Sequence, residues 1–243
     1  MKIRADRRVL ELGLAPSLAV AQALLLGGKI YWGERKIEKA GDQVPADCEL
    51  RVAGQRQYVS RGGNKLEGAL KHFKLNIGGL VCADLGASTG GFVDCLLQRG
   101  AAKVFAVDVG KGLLDPKVAN DARVVVMDET NARDLTAESF DSPLDLVTVD
   151  VSFIGMAKIA SALARILPPN GRLIAMIKPQ FEADPTDVAL GHGVIRDPRV
   201  RTAAIASACD ALKQAGFALT SQIDSELKGP KGNLEHFVLA QRI

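Results

Sequence analysis

Asp150 closes the apolar run Leu144–Val149, and Lys178 closes the run Arg172–Ile177. In a parallel sheet, ligands bind beyond the carboxyl ends of the strands, near the point where the strand order reverses. Opposite charges projecting from two such ends therefore mark a site. A lysine whose pKa is lowered by burial or by a second cation can act as a general base near neutral pH. Two further charges sit at edges of the pattern: Lys65 in Ser60-Arg61-Gly62-Gly63-Asn64-Lys65, and Glu235 in Gly232-Asn233-Leu234-Glu235. Taken singly, each of the four reads as readily as a solvated charge or strand-end cap, since such groups are mostly exposed.

A second constellation lies upstream. The buried-strand run Val81–Leu85, which includes Asp84, leads into Gly86-Ala87-Ser88-Thr89-Gly90-Gly91, and Phe92–Gln98 is helical. Strand, glycine turn and helix in that order set a tight loop and a helix N-terminus beside a ligand. Asp108 follows Gly86 by 22 residues at the end of the next strand, Lys103–Val107. A carboxylate there can accept both ribose hydroxyls of an adenosine. The dinucleotide fingerprint needs a glycine where this loop has Ser88, although the fold alone leaves a nicotinamide oxidoreductase open.

These residues need strands and crossover helices to hold them. Further strands are expected at Arg123–Met127, Leu144–Val149, Arg172–Ile177, Phe217–Ile223 and His236–Ala240. Helices are expected at Met156–Leu167 and at Pro198–Ala215, the latter capped by Asp197. The alternation implies an α/β fold with a parallel sheet, ending in a hairpin-like pair after Gly216. Residues 179–196 carry little periodicity and read as a long functional loop, a lid. The front of the chain differs, with helices at Arg7–Leu12 and Leu18–Leu26 (N-cap Ser17), then short strands at Lys29–Trp32, Val44 and Leu50–Val52. A small module over residues 1–55, a linker at 56–60 and a large module over 61–243 follow from this change, with Tyr58 packed between the modules.

Composition narrows the function classes. The chain has 243 residues, 47% hydrophobic and 24% charged, the profile of a soluble globular protein. No apolar run approaches the roughly 20 residues of a membrane span, and the first ten residues lack the apolar core of a signal peptide. Cys48, Cys82, Cys95 and Cys209 show no paired spacing and read as free thiols of a reducing compartment, so the expected location is cytoplasmic. The histidines lack ligand spacing, and no metal site is expected. Residues 1–60 hold ten Lys/Arg against seven Asp/Glu, while the rest holds 21 of each. All the excess positive charge thus lies in the front module, as a contact with a polyanion would require.

The front module resembles the S-four-type (alpha-L) RNA-binding domain through Arg4-x-Asp6, Leu10-x-x-x-Leu14, Ala15-x-Ser17, Ala21-Gln22, Gly27-Gly28-Lys29-Ile30 and Lys39-x-Gly41-x-x-Val44. It departs from that family at Leu18 and at Trp32-Gly33. Candidate RNA contacts are Arg4, Arg7, Arg8, Lys29, Arg35, Lys36 and, in the large module, Arg61. The glycine loop resembles the methyltransferase version, D-x-G-x-x-x-G-G, which implies S-adenosylmethionine as cofactor. Its candidate contacts are Asp84, Gly86, Ser88, Gly90, Gly91, Phe92, Asp108 and Asp128. With Thr130-Asn131-Ala132-Arg133, Lys178–Glu182, Gly193-Val194-x-Arg196-Asp197-Pro198 and Gly229-Pro230-x-Gly232-Asn233-x-Glu235, nearly the whole chain resembles the TlyA-type (haemolysin A-like) rRNA methyltransferases. These share their catalytic domain with FtsJ-type ribose methyltransferases, whose Lys-Asp-Lys-Glu tetrad maps onto Lys65, Asp150, Lys178 and Glu235. The resemblance implies methylation of a ribose 2′-hydroxyl, of a cytidine, in ribosomal RNA, with Lys178 as base and no membrane partner. A membrane-active protein and a non-catalytic RNA-binding protein are the competing classes. The first would need a span or a basic amphipathic helix, and the second a broken tetrad.

Overall fold

A computed structural model describes residues 2–33, 35–54 and 57–243. Two compact units divide the chain at residues 56 and 57, one residue beyond the expected end of the small module. Gln55 and Arg56, the junction and the first linker residue, lie outside the described residues.

The first unit runs β1 (Lys2–Arg4), α1 (Ala5–Glu11), α2 (Leu18–Leu26), β2 (Ile30–Trp32), β3 (Arg35–Ile37), β4 (Gln43–Pro45) and β5 (Arg51–Val52). The Ser17 hydroxyl caps α2 by accepting the Val20 N–H at 3.3 Å. β1 pairs with β4, and β3-β2-β5 form a second antiparallel sheet. Ala5, Val9, Ala21, Leu25, Ile30, Ile37 and Val44 fill the core between them. α1 starts two residues earlier than the sequence implies, and β1 and β3 are three-residue strands too short to show a period.

In the second unit, α3 (Arg61–Phe73) leads to β6 (Val81–Leu85), α4 (Gly91–Gln98), β7 (Lys103–Val107), α5 (Pro116–Ala119) and β8 (Val124–Met127). Then come β9 (Leu146–Val149), α6 (Ala160–Ile166), β10 (Arg172–Ile177), α7 (Pro179–Glu182), α8 (Pro185–Leu190), α9 (Pro198–Gln214), β11 (Phe217–Asp224) and β12 (His236–Arg242). The seven strands lie in the order β11-β12-β10-β9-β6-β7-β8. The five from β10 to β8 are parallel, and β12 runs antiparallel between β10 and β11. From β6 the chain winds outward through β7 and β8, then returns to β9 on the other side. The order therefore reverses between β6 and β9, which opens a crevice at their carboxyl ends. Apolar clusters cover both faces of the sheet, as buried parallel strands require.

Three expectations need correction. Residues 179–196 are not one irregular loop, because two short helices begin there at Pro179 and Pro185, the second capped by Asp184. Residues 156–167 split into a 3-10 turn (Met156–Lys158) followed by α6. Tyr58 packs within the second unit: its ring fills the space a Cβ at Gly63 would take, and its hydroxyl bonds Glu67 at 3.0 Å.

Candidate active site

The antiparallel insertion of β12 brings its first residues to the edge where the parallel strands end. Ile177 pairs with His236, so Lys178 and Glu235, each one residue beyond that pair, reach the same edge. The Lys178 ammonium lies 2.6 Å from Asp150 Oδ1, 3.3 Å from the Asp150 carbonyl oxygen and 2.8 Å from Ser152 Oγ. Lys65 comes from α3 and makes an ion pair with Glu235, both side chains nearly excluded from water. Burial pushes the Asp150 carboxyl above its ordinary pKa, the charges of Lys178 and Lys65 pull it down, and Glu235 raises it. The four residues thus form two acid–lysine pairs, Lys178–Asp150 and Lys65–Glu235, whose charges reach one another at Asp150.

Two cavities meet here. One, of about 510 Å³, is lined by Gly86, Ser88, Asp108, Val109, Leu113 and Thr130–Arg133, and ends at Asp150 and Ser152–Ile154. The other, of about 320 Å³, holds Lys178, Glu235, Gln180, Phe181, Lys231 and Asn233. Ser152 and Phe153 line both. Gly86 makes the first cavity possible: its φ is +86°, and a Cβ there would stand 2.8 Å from the Asp150 carbonyl oxygen. Each Asp108 carboxylate oxygen accepts one backbone N–H, from Ser88 and from Gly110, both at 2.8 Å. A carboxylate oxygen keeps a further lone pair after one such bond, so Asp108 can still receive two hydroxyls. The exposed side chains of Val109 and Leu113 offer apolar surface beside it. A nucleoside with a charged tail fits this donor and acceptor set, and both volumes fall in the range of small-molecule sites.

The FtsJ-like methyltransferase family model matches residues 58–242. The chain belongs to that family. As an FtsJ-like methyltransferase, it uses S-adenosylmethionine as methyl donor. It is 38% identical over 241 residues to Hemolysin A of Brachyspira hyodysenteriae, covering 98% of this chain and all of that one. It is also 38% identical to the 16S/23S rRNA (cytidine-2'-O)-methyltransferase TlyA of Mycobacterium tuberculosis, covering 98% of this chain and 89% of the relative. Among solved structures, a putative hemolysin from Streptococcus thermophilus superposes with a TM-score of 0.75 at 33% identity, over 99% of this chain and 88% of that one.

Several sequence candidates of this FtsJ-like enzyme lie away from the cleft. Asp84 is buried beneath the glycine loop, where it accepts the Thr148 hydroxyl at 2.7 Å and burial pushes its pKa up to about 8. Gly91 serves packing, since a Cβ there would meet Ser60 Oγ and the Gly63 nitrogen of α3. Gly90 caps α4, and the Phe92 ring stacks on Phe237 in the core. Asp128 accepts the Gly112 N–H at 2.8 Å and so braces the loop after Asp108. Arg61 donates to the Lys228 carbonyl at 2.9 Å, tying α3 to the loop that carries Glu235.

The basic candidates of the first unit divide in two. Arg4 is chelated by the buried Asp6 at 3.0 and 2.7 Å, which holds that carboxyl at about 2, and Arg8 donates to the Cys48 carbonyl. Arg7, Lys29, Arg35 and Lys36 are exposed. Thr130, Asn131 and Arg133 line the cleft as well, although the motif that contains them carries no expected cofactor contact. Leu113 carries no signal in the sequence, being a single residue in a loop.

Proposed function

We propose that this FtsJ-like enzyme transfers the methyl group of S-adenosylmethionine to a ribose 2′-hydroxyl of ribosomal RNA, at a cytidine as in its TlyA relative. One observation carries the reading: the nucleoside-shaped cleft and the cavity holding Lys178 and Glu235 share the wall Ser152–Phe153. A donor seated in the first thus faces an acceptor in the second. Gly86, Ser88, Asp108 and Thr130–Arg133 would hold the cofactor, which supplies an electrophilic methyl on a sulfonium. The remaining work belongs to the side chains. A ribose hydroxyl is a poor nucleophile and must lose its proton as it attacks, and Lys178 takes it. Asp150 prepares Lys178 by position: its carboxylate lies 2.6 Å from the lysine nitrogen and holds it at the wall of the acceptor cavity. Lys65 and Glu235 orient the hydroxyl and hold the array.

The first unit supplies RNA affinity in this reading, through Arg7, Lys29, Arg35 and Lys36, with Arg4, Arg8 and Arg61 in bracing roles. A membrane-active role has no comparable support, and no helix among the described residues is long and apolar enough to cross a membrane. The test is incubation of the protein with unmodified ribosomal RNA and methyl-labelled S-adenosylmethionine, followed by mapping of ribose methylation. Label on one or a few cytidine riboses is expected. Label on bases alone, or none, refutes the reading.

A further inference from the structure

The loops after β9 and β10 touch along their length. Lys178 Nζ reaches Ser152 Oγ at 2.8 Å, and the Phe153 and Phe181 rings stand 5.1 Å apart. Then Glu182 Oε1 accepts the Met156 N–H at 2.8 Å. Gly155 lies beneath the same carboxylate, so close that an added Cβ would be 3.0 Å from Glu182 Oε2 and 3.2 Å from the Phe181 carbonyl oxygen. Phe153 is held at φ +65° with 90% of its surface exposed, so its own burial does not fix its place. The firm hold is at the two ends of the segment, Lys178 on Ser152 and Glu182 on Met156. Glu182 lines neither cavity.

We propose that Glu182 is a positioning residue: by clasping the Met156 end of the 152–156 loop, it sets the wall common to both cavities and hence the separation of methyl donor and ribose hydroxyl. The inference rests on the reading given under Proposed function. Methyl transfer needs its reacting atoms aligned, and a displacement of about 1 Å made far from the chemistry can cost about a hundredfold. Because donor and acceptor are each held mainly by other residues, a slack wall should leave their affinities nearly intact and lower the rate of transfer. Glutamine keeps an oxygen that accepts the same N–H and should restore alignment.

The experiment is single-turnover methylation of ribosomal RNA by full-length wild type, Glu182→Ala, Glu182→Gln and Gly155→Ala, with S-adenosylmethionine affinity measured by calorimetry. The expected result is a ten- to hundredfold slower transfer in Glu182→Ala, donor affinity within about threefold, and Glu182→Gln within about threefold of wild type. Gly155→Ala presses on the clasp from the opposite side and should slow transfer without removing the carboxylate, which keeps the test decisive if Glu182→Ala does not fold. Normal rates in Glu182→Ala, or in Gly155→Ala when Glu182→Ala is unfolded, overturn the proposal. So does a glutamine variant as slow as the alanine one, and so does a slow variant whose donor affinity falls in proportion. A wild type that methylates no ribosomal RNA overturns the underlying function instead, and this inference with it.

Discussion

Replacing Lys65 by Met should destabilise the second unit far more than a surface charge change would. The Lys65 and Glu235 side chains are 8% and 3% exposed, and they face each other across 170 residues of sequence. Removing one partner of a buried pair strands the other charge in a place water hardly reaches, at about 3–5 kcal/mol. For a unit of this size, 1 kcal/mol shifts the melting temperature by roughly 2–4 °C, so a loss of roughly 6–20 °C is expected. The double variant Lys65→Met/Glu235→Leu strands nothing and should recover most of that loss, because apolar replacement of a whole buried pair is often neutral or stabilising. Methyl transfer should stay absent in both. Calorimetric melts of the four proteins in the cycle, with transfer assayed on each, separate the two effects. A single variant within about 1 kcal/mol of wild type would refute the claim that this pair is electrostatically isolated from water.

Three further outcomes are expected. Lys178→Arg keeps a positive charge that cannot be given up in a protein, so transfer should fall at least about a hundredfold while calorimetric donor affinity holds; substantial activity would remove the base role. Asp84 ionises near 3.8 when unfolded and near 8 when folded, so between those values the folded state holds the extra proton and stability declines as pH rises, at up to about 1.4 kcal/mol per pH unit. Asp84→Asn lacks that slope, and urea melts from pH 5 to 8 should show its advantage over wild type growing with pH. Arg7→Glu, Lys29→Glu and Arg35→Glu should each weaken RNA binding and lower the slope of log affinity against log salt by about one, whereas unchanged slopes would take the first unit out of RNA docking.

The strands that end in Asp108, Asp150 and Lys178 were legible because buried parallel strands read as continuous apolar runs, and a charge that closes such a run stands out. Caps were legible for the same local reason, at Ser17 and at Asp197-Pro198. α3 was not, although it carries Lys65, because Gly62, Gly63 and Gly68 depress helix propensity while serving close packing against Tyr58, Phe92 and Glu226. Sequence spacing likewise does not separate glycines that line a cleft from glycines that face a helix: Gly86 lies at the cleft, whereas Gly91 packs against α3. Asp128 follows a strand run as Asp108 does, and Asp84 sits within one, yet Asp84 is buried under the loop and Asp128 braces it. Much of the apolar lining of the cleft, as at Val109, Leu113 and Phe153, comes from loop residues, where no period exists to be read.

The place of β12 has a consequence for the order in which the molecule assembles. It is the latest of the seven strands in chain order, yet it lies inside the sheet, between β10 and β11. Strands β6 to β10 can add to one another as they emerge, whereas β11 has no neighbour until residues 236–242 arrive and insert. Closing contacts at such sequence separation is slow, because the loop entropy is lost before the contacts form. The step that seats β12 is also the step that carries Glu235 to Lys65. Catalytic competence should therefore appear in refolding only with the slowest phase that completes the sheet, and a partly folded chain carries a donor cleft with no finished acceptor site.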